Sequence, residues 1–181
     1  MSRLPFLVLV LLSACTPVPG QPEPAPSRSA DACPHGVEYD VLAQEAAMGL
    51  RVLSLRATNC GAEAVELNGY PSVTVLDAER APLLVAVGQG SFGISAVTAF
   101  DAPPQPVVVG PGESARTGLL WRNTYTDVSA PPAVGEHLEI AVAAGRPAQV
   151  YTPLDEHRHP VTLDLGSTGK VGVMPWTAMT P

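Results

Sequence analysis

Leu12-Ser13-Ala14-Cys15 closes a short apolar run and has the form of a lipobox, in which the cysteine thiol takes a lipid. Arg3 is the positive n-region, Phe6 to Leu12 the apolar h-region, and Ser13 and Ala14 the small residues a signal peptidase requires. A spanning helix needs about 20 apolar residues. This run is shorter, and prolines follow it at once, so residues 1–14 read as a lipoprotein signal peptide. One acyl chain binds a membrane weakly and two hold it. A diacylglyceryl group on Cys15, with an N-acyl chain such as palmitate, meets that need.

The two other cysteines, Cys33 and Cys60, are then left as one pair. An exported protein meets conditions in which disulfides persist. A bridge would close a loop of about 28 residues and stabilise the fold by about 3–4 kcal/mol in the chain-entropy model. The alternative is a reactive or metal-binding thiol pair, against which neither cysteine lies in a Cys-x-x-Cys motif.

His157-Arg158-His159 is the one histidine cluster in the sequence. In extended backbone, residues two apart point the same way, so both imidazoles could face one ion, with Asp155 and Glu156 close by. Zinc and copper sites need three or four converging ligands, and His35 and His137 are distant in sequence. His157 and His159 are weak metal candidates, more readily explained as solvated loop residues. No metal or other cofactor is expected.

Gly88-Gln89-Gly90-Ser91-Phe92-Gly93 matches G-x-G-x-x-G, but the dinucleotide fingerprint needs a helix opening on it. Ile94 to Phe100 is short, and Pro103-Pro104 follows, so a glycine loop is expected. Gly166-Ser167-Thr168-Gly169 reads as a turn, with Lys170 out of phosphate-loop register. No serine lies in G-x-S-x-G, so no catalytic residues are assigned and no enzyme is expected. Tyr70, Trp121, Tyr125, Tyr151 and Trp176 could form a ligand-binding patch. Tyr70 and Trp121 are better placed as core, and Tyr125 as an exposed loop residue. Arg122 and Asn123 could recognise a polar ligand, but capping a turn is the favoured role.

These residues must be positioned by a chain of 181 residues with net charge −7. It has no basic run, which argues against a nucleic-acid partner. Thr16 to Ala32 carries prolines at 17, 19, 22, 24 and 26 and too little apolar surface to fold. Residues 15–32 therefore read as a disordered, proline-rich tether starting at the lipidated cysteine, with residues 33–181 forming the domain.

Beyond Cys33 the pattern is β-rich. Candidate strands are Val37 to Ala43, Leu50 to Thr58, Ser72 to Leu76, Leu83 to Val87, Val107 to Val109, Ala115 to Trp121, His137 to Val142, Val161 to Leu165 and Val171 to Trp176. Gln44 to Arg56 has helical composition, but Gly49 interrupts it and its neighbours read as strands. Ser72 to Leu76 and Leu83 to Val87 flank Asp77-Ala78-Glu79-Arg80 as a hairpin. Gly110-Pro111-Gly112 suits a type II turn. Short strands without helical segments between them predict an all-β, antiparallel two-sheet sandwich.

Asn59-Cys60, Leu67-Asn68-Gly69-Tyr70-Pro71, Val75-Leu76-Asp77, Gly110-Pro111-Gly112-Glu113-Ser114-Ala115 and Trp121-Arg122-Asn123-Thr124 occur in that order. Together they resemble lipoproteins of high-GC Gram-positive (actinobacterial) type that carry the domain of unknown function 4232. Leu-x-Gly-Tyr-Pro is the most specific part, and the similarity runs from about Cys33 to Trp176. Many members place a cysteine just before that segment, whereas Cys60 lies further upstream here. Members often carry Asp-Gly where this chain has Glu79-Arg80. The resemblance implies an Ig-like β-sandwich at the cell envelope and no established activity.

The expectation from sequence is a lipid-anchored domain on the outer face of the cell membrane, acting as a binding or interaction module. Its partner would be an envelope protein or a small ligand. The alternatives are a small-ligand or metal carrier using His157 and His159, and more remotely a hydrolase.

Overall fold

The computed structural model describes residues 33–129 and 131–179. The lipobox, Cys15 and the tether lie outside the described residues.

The domain is all-β, with no α-helix among the described residues. Its strands are β1 (Val37–Ala47), β2 (Leu50–Asn59), β3 (Val65–Leu67), β4 (Ser72–Leu76), β5 (Ala86–Gln89), β6 (Val107–Val109), β7 (Ser114–Arg122), β8 (Val134–Gly135), β9 (His137–Ala141), β10 (Gln149–Tyr151), β11 (Leu163–Asp164), β12 (Lys170–Val173) and β13 (Thr177–Ala178). A six-stranded sheet runs in the order β1-β2-β7-β12-β5, with β13 also paired to β7. Opposite it lie the three-stranded sheet β10-β9-β4 and the pairs β11-β8 and β3-β6.

One core fills the space between these layers. Leu53, Leu55 and Ala57 of β2 are buried, as are Leu119 and Trp121 of β7, Val75 of β4, and Leu138 and Ile140 of β9. Leu53, Leu55 and Ala57 alternate along β2, because a half-buried strand must put alternate residues inward. A second, smaller cluster of Phe100, Leu120 and Met174 covers the outer face of the large sheet. It explains why β7 is buried on both faces from Thr117 to Trp121.

The β1–β2 hairpin turns on Met48-Gly49, both with positive φ (47° and 78°). That is the geometry of a two-residue type I′ turn, whose twist matches the strands. The first strand therefore runs four residues past its expected end, through the segment of helical composition. Its pairing with β2 shifts register between Val41 and Ala43, a β-bulge at Leu42.

The pairing of Leu83 to Val87 differs from expectation. The turn at Asp77 to Arg80 forms, with the Arg80 amide donating to Asp77 O (3.1 Å) and Asp77 Oδ1 accepting from the Ala81 amide (2.7 Å). The return strand does not, apart from an isolated bridge between Leu76 and Pro82 and the Leu83 amide on Val75 O (2.9 Å). Proline at 82 cannot donate to a ladder. The chain crosses to the large sheet, where β5 pairs with β12 in parallel, while the other strand pairings among the described residues are antiparallel. The expected strand from Val171 to Trp176 likewise ends early, at Val173 in β12, and β13 forms only after Met174-Pro175-Trp176. Of the segment from Val161 to Leu165, Leu163 and Asp164 pair as a strand.

Candidate functional site

Both layers expose an edge on the same side. β1 ends the large sheet and β10 ends the three-stranded one. The Tyr39 and Tyr151 rings meet between them at 6.0 Å, and Gln149 Nε2 donates to Val37 O (2.8 Å). Beyond these contacts the edges part and leave a trough of about 640 Å³. It is bounded by residues 38–44 of β1 on one side and by residues 151, 152 and 154–158 on the other. At Gln44 it adjoins a recess of about 190 Å³, walled by Ala46, Arg51, Trp121, Thr162 and Asp164. The two follow the length of β1.

The backbone along this edge has a defined polarity. The Cys60 amide donates to Gly36 O (3.1 Å). Alternation in an antiparallel ladder then turns the polar groups of Glu38 and Asp40 toward β2 and those of Tyr39 and Val41 outward. Beyond the bulge, the two-residue turn makes Ala47–Leu50 the hydrogen-bonded pair. The same alternation then turns Gln44 and Ala46 outward. No other strand pairs with that edge among the described residues.

Carboxylates dominate the walls. Glu38, Asp40, Glu45, Asp155, Glu156 and Asp164 stand against Arg51 and Arg158. Asp40 is held by Arg56, with Oδ1 at 2.8 Å from Nη2 and Oδ2 accepting from Nε at 3.0 Å. Asp155 Oδ1 accepts from the amides of His157 (2.9 Å) and His159 (2.8 Å). The His159 amide, with smaller help from the His157 amide and the imidazoles and against the opposing effect of burial, holds the Asp155 carboxyl below its ordinary range. Burial pushes both phenols up, and for Tyr151 the Asp40 charge adds to it.

The histidine cluster therefore has a structural explanation. Residues 155–159 form a tight turn wrapped on the Asp155 carboxylate, with Arg158 at φ 66°. The side chains of His157 and His159 are 71% and 76% exposed. His137 Nδ1 lies 2.7 Å from Thr152 Oγ1, and His35 sits in the 3-10 turn Pro34–Gly36. Among the described residues, no three His, Cys, Asp or Glu side chains gather to hold a metal.

Cys33 and Cys60 form the disulfide, with Cα atoms 5.9 Å apart. Beside it Asn59 is buried, its Nδ2 donating to Glu63 O (2.7 Å) and Val109 O (2.8 Å) and its Oδ1 accepting from the Gly61 amide (2.9 Å). The Asn-Cys pair in the sequence is thus a clamp that ties residues 61–63 and the end of β6 to the start of the domain at Cys33. Gly69 of the Gly-Tyr-Pro segment has φ 81°, and its carbonyl accepts from the Trp176 amide (2.9 Å). Trp121 and Trp176 are core residues whose indole N–H groups reach Asp164 O and Val142 O, each at 2.8 Å. Tyr70 packs against the same core, and Tyr125 is exposed with its hydroxyl on Asp164 Oδ1 (2.7 Å). Of the aromatic candidates, Tyr151 alone lines the trough.

Arg122 and Asn123 brace the β1–β2 hairpin. Arg122 Nε donates to Ile94 O (3.2 Å) and its Nη1 reaches Met48 O (3.5 Å). The Asn123 amide is satisfied when its nitrogen faces Gly49 O (3.2 Å) and its oxygen faces Arg51 Nη2 (2.9 Å). The G-x-G-x-x-G segment leaves β5 as a turn, with no helix after it. Ser91 at its centre is tied to Asp101, whose carboxylate accepts from the Ser91 amide and hydroxyl, both at 2.8 Å. Gly166 to Gly169 is a turn, as expected.

Sequence reading passed over Tyr39, Asp101 and the edge of β1. Nothing local marks an edge, since it depends on which strands find partners.

A family model described as a domain of unknown function (DUF4232) matches residues 33–181. No curated protein matches the chain. Among solved structures, a beta-glucosidase from Kluyveromyces marxianus in complex with glucose is similar over 65% of this chain at 12% identity, with a TM-score of 0.25. The likeness spans 15% of that enzyme's length.

Proposed function

The chain belongs to the DUF4232 family, and from that premise we propose that it is a lipid-anchored, extracytoplasmic binding module whose partner lies in the β1 trough. The observation that carries the reading is the trough itself, where two sheet edges part beside a row of outward backbone groups. Two of the carboxylates around it are held in place, Asp40 by Arg56 and Asp155 by the His157 and His159 amides, which suits recognition better than catalysis. A metal carrier finds less support, because His157 and His159 turn to solvent.

The location rests on the lipobox. Lipid on Cys15 would hold the protein at the outer face of the cell membrane, with residues 16–32 as the connection to the domain.

The test places a photo-crosslinking residue at Gln44, in the trough, or at Val108, which lines no part of it. On irradiation of intact cells, a discrete adduct from position 44 and none from 108 is the expected result. Equal labelling, or none, overturns the binding reading. Detergent partitioning of a Cys15→Ser variant tests the anchor. That variant should leave the detergent phase, and its retention would remove the lipid from the account.

A further inference from the structure

We infer that the occupant of the trough is an extended, cationic polypeptide segment that adds to the edge of β1 as a further strand. This rests on the binding reading above and names the partner's chemistry. β1 is long for an edge, with 11 residues. Edge strands are commonly blunted by shortness, proline or inward charge. β1 has no proline and has Val37, Tyr39 and Val41 along its inward row. The bulge at Leu42 interrupts it but leaves outward groups on both sides, at Tyr39 and Val41 and at Gln44 and Ala46.

Strand addition needs a donor–acceptor row and a place for alternate side chains of the incoming segment. The row is the β1 backbone. The place is the trough, which runs beside that backbone, so side chains on one face of an added strand project into it. Six carboxylates and two arginines line the trough and its recess. Counting Arg56, which neutralises Asp40, carboxylates still outnumber arginines two to one. A segment alternating lysine or arginine with small apolar residues matches this potential, and an acidic segment opposes it. A second copy of the chain fits poorly, since pairing the two β1 edges would bring like acidic rims together.

The test uses the full chain and a fluorescein-labelled peptide of alternating lysine and valine. Its glutamate–valine counterpart and a form N-methylated at alternate amides serve as comparisons. The lysine peptide should bind saturably, weaken with added salt, and bind at least about tenfold more tightly than either comparison. Gln44→Pro removes an outward amide and no ladder donor, and should weaken binding about fivefold or more. Gln44→Ala, which keeps that amide, should weaken it less than Gln44→Pro does. Urea unfolding of Gln44→Pro checks that the fold is kept, and Ala46→Pro is the second variant if it is not.

Equal binding of the N-methylated peptide overturns strand addition, and equal binding of the glutamate peptide overturns the charge preference. No binding at about 1 mM, weaker than about −4 kcal/mol, overturns the inference as a whole. If position 44 still crosslinks a partner in cells, the binding reading survives that failure. A crosslinked adduct of twice the chain's mass, or one within a single chain, overturns the inference in favour of self-pairing or internal cover.

Discussion

Tyr39 and Tyr151 join the two layers of the sandwich at their open side, with ring centroids 6.0 Å apart and planes inclined by 49°. Tyr39 is buried, and Tyr151 packs against the same core.

Burial raises both phenols above their ordinary value of about 10. A group with a raised native pKa contributes stability that is full below the unfolded value and is lost as pH rises toward the native one. Stability should therefore begin to fall above about pH 10, with Tyr39 and Tyr151 ionising on unfolding. Ultraviolet titration of phenolate beside circular dichroism checks this. Ionisation of both phenols before any loss of structure would contradict it. Tyr39→Ala should cost about 3–5 kcal/mol, in line with large aromatic deletions from a core.

Asn59 satisfies three backbone groups from a buried position. Asn59→Ala leaves Val109 O buried without that donor and should cost about 2–3 kcal/mol. Urea unfolding with an unchanged m-value would register it as lost native stability. A cost below about 0.5 kcal/mol would place the clamp elsewhere.

The Ser91 amide, more than any other partner, holds the Asp101 carboxyl below its ordinary value. Stability tied to a depressed carboxylate is present above the unfolded pKa of about 3.9 and is lost as pH falls through the native value. Amide exchange at Ser91 and Val97 should therefore accelerate, relative to the β2 core, below about pH 4. Asp101→Asn should bring the same loosening at neutral pH. Protection at Ser91 that tracks β2 at every pH would show that the carboxylate does not hold this loop.

Arg80 occupies the left-handed region at φ 65° with an exposed side chain. Arg80→Gly relieves strain of about 1 kcal/mol, partly offset by the added freedom of glycine in the unfolded chain. A net gain of about 0.5–1 kcal/mol, or roughly 1–4 °C in Tm, is expected by calorimetry. A fall in Tm would mean that the arginine makes a contact worth more than the strain.

The parts of this fold legible from sequence are those decided locally. The parity of β2 follows from one buried face, the Gly110-Pro111-Gly112 turn from Gly112 at φ 78°, and the disulfide from cysteine arithmetic. The destination of Leu83 to Val87 was not legible, because its apolar content suits either sheet and its partner, β12, lies more than 80 residues on. The trough was hidden for the same reason. Its floor joins Tyr39 to Tyr151, residues with no local relation. The histidine cluster stood out by composition, yet the Asp155 carboxylate organises that loop through backbone amides.

The bond between Cys33 and Cys60 also has a mechanical meaning. Val37 pairs with Asn59 at the end of the β1–β2 ladder where the domain begins. A pull applied at residue 33 would otherwise open that ladder one rung at a time, the low-force way to separate strands. The disulfide passes the load directly to the end of β2, which is paired with β7 over nine positions. Force on the chain is thus carried into the interior of the sheet, and the β1 edge stays in register while the domain is under tension.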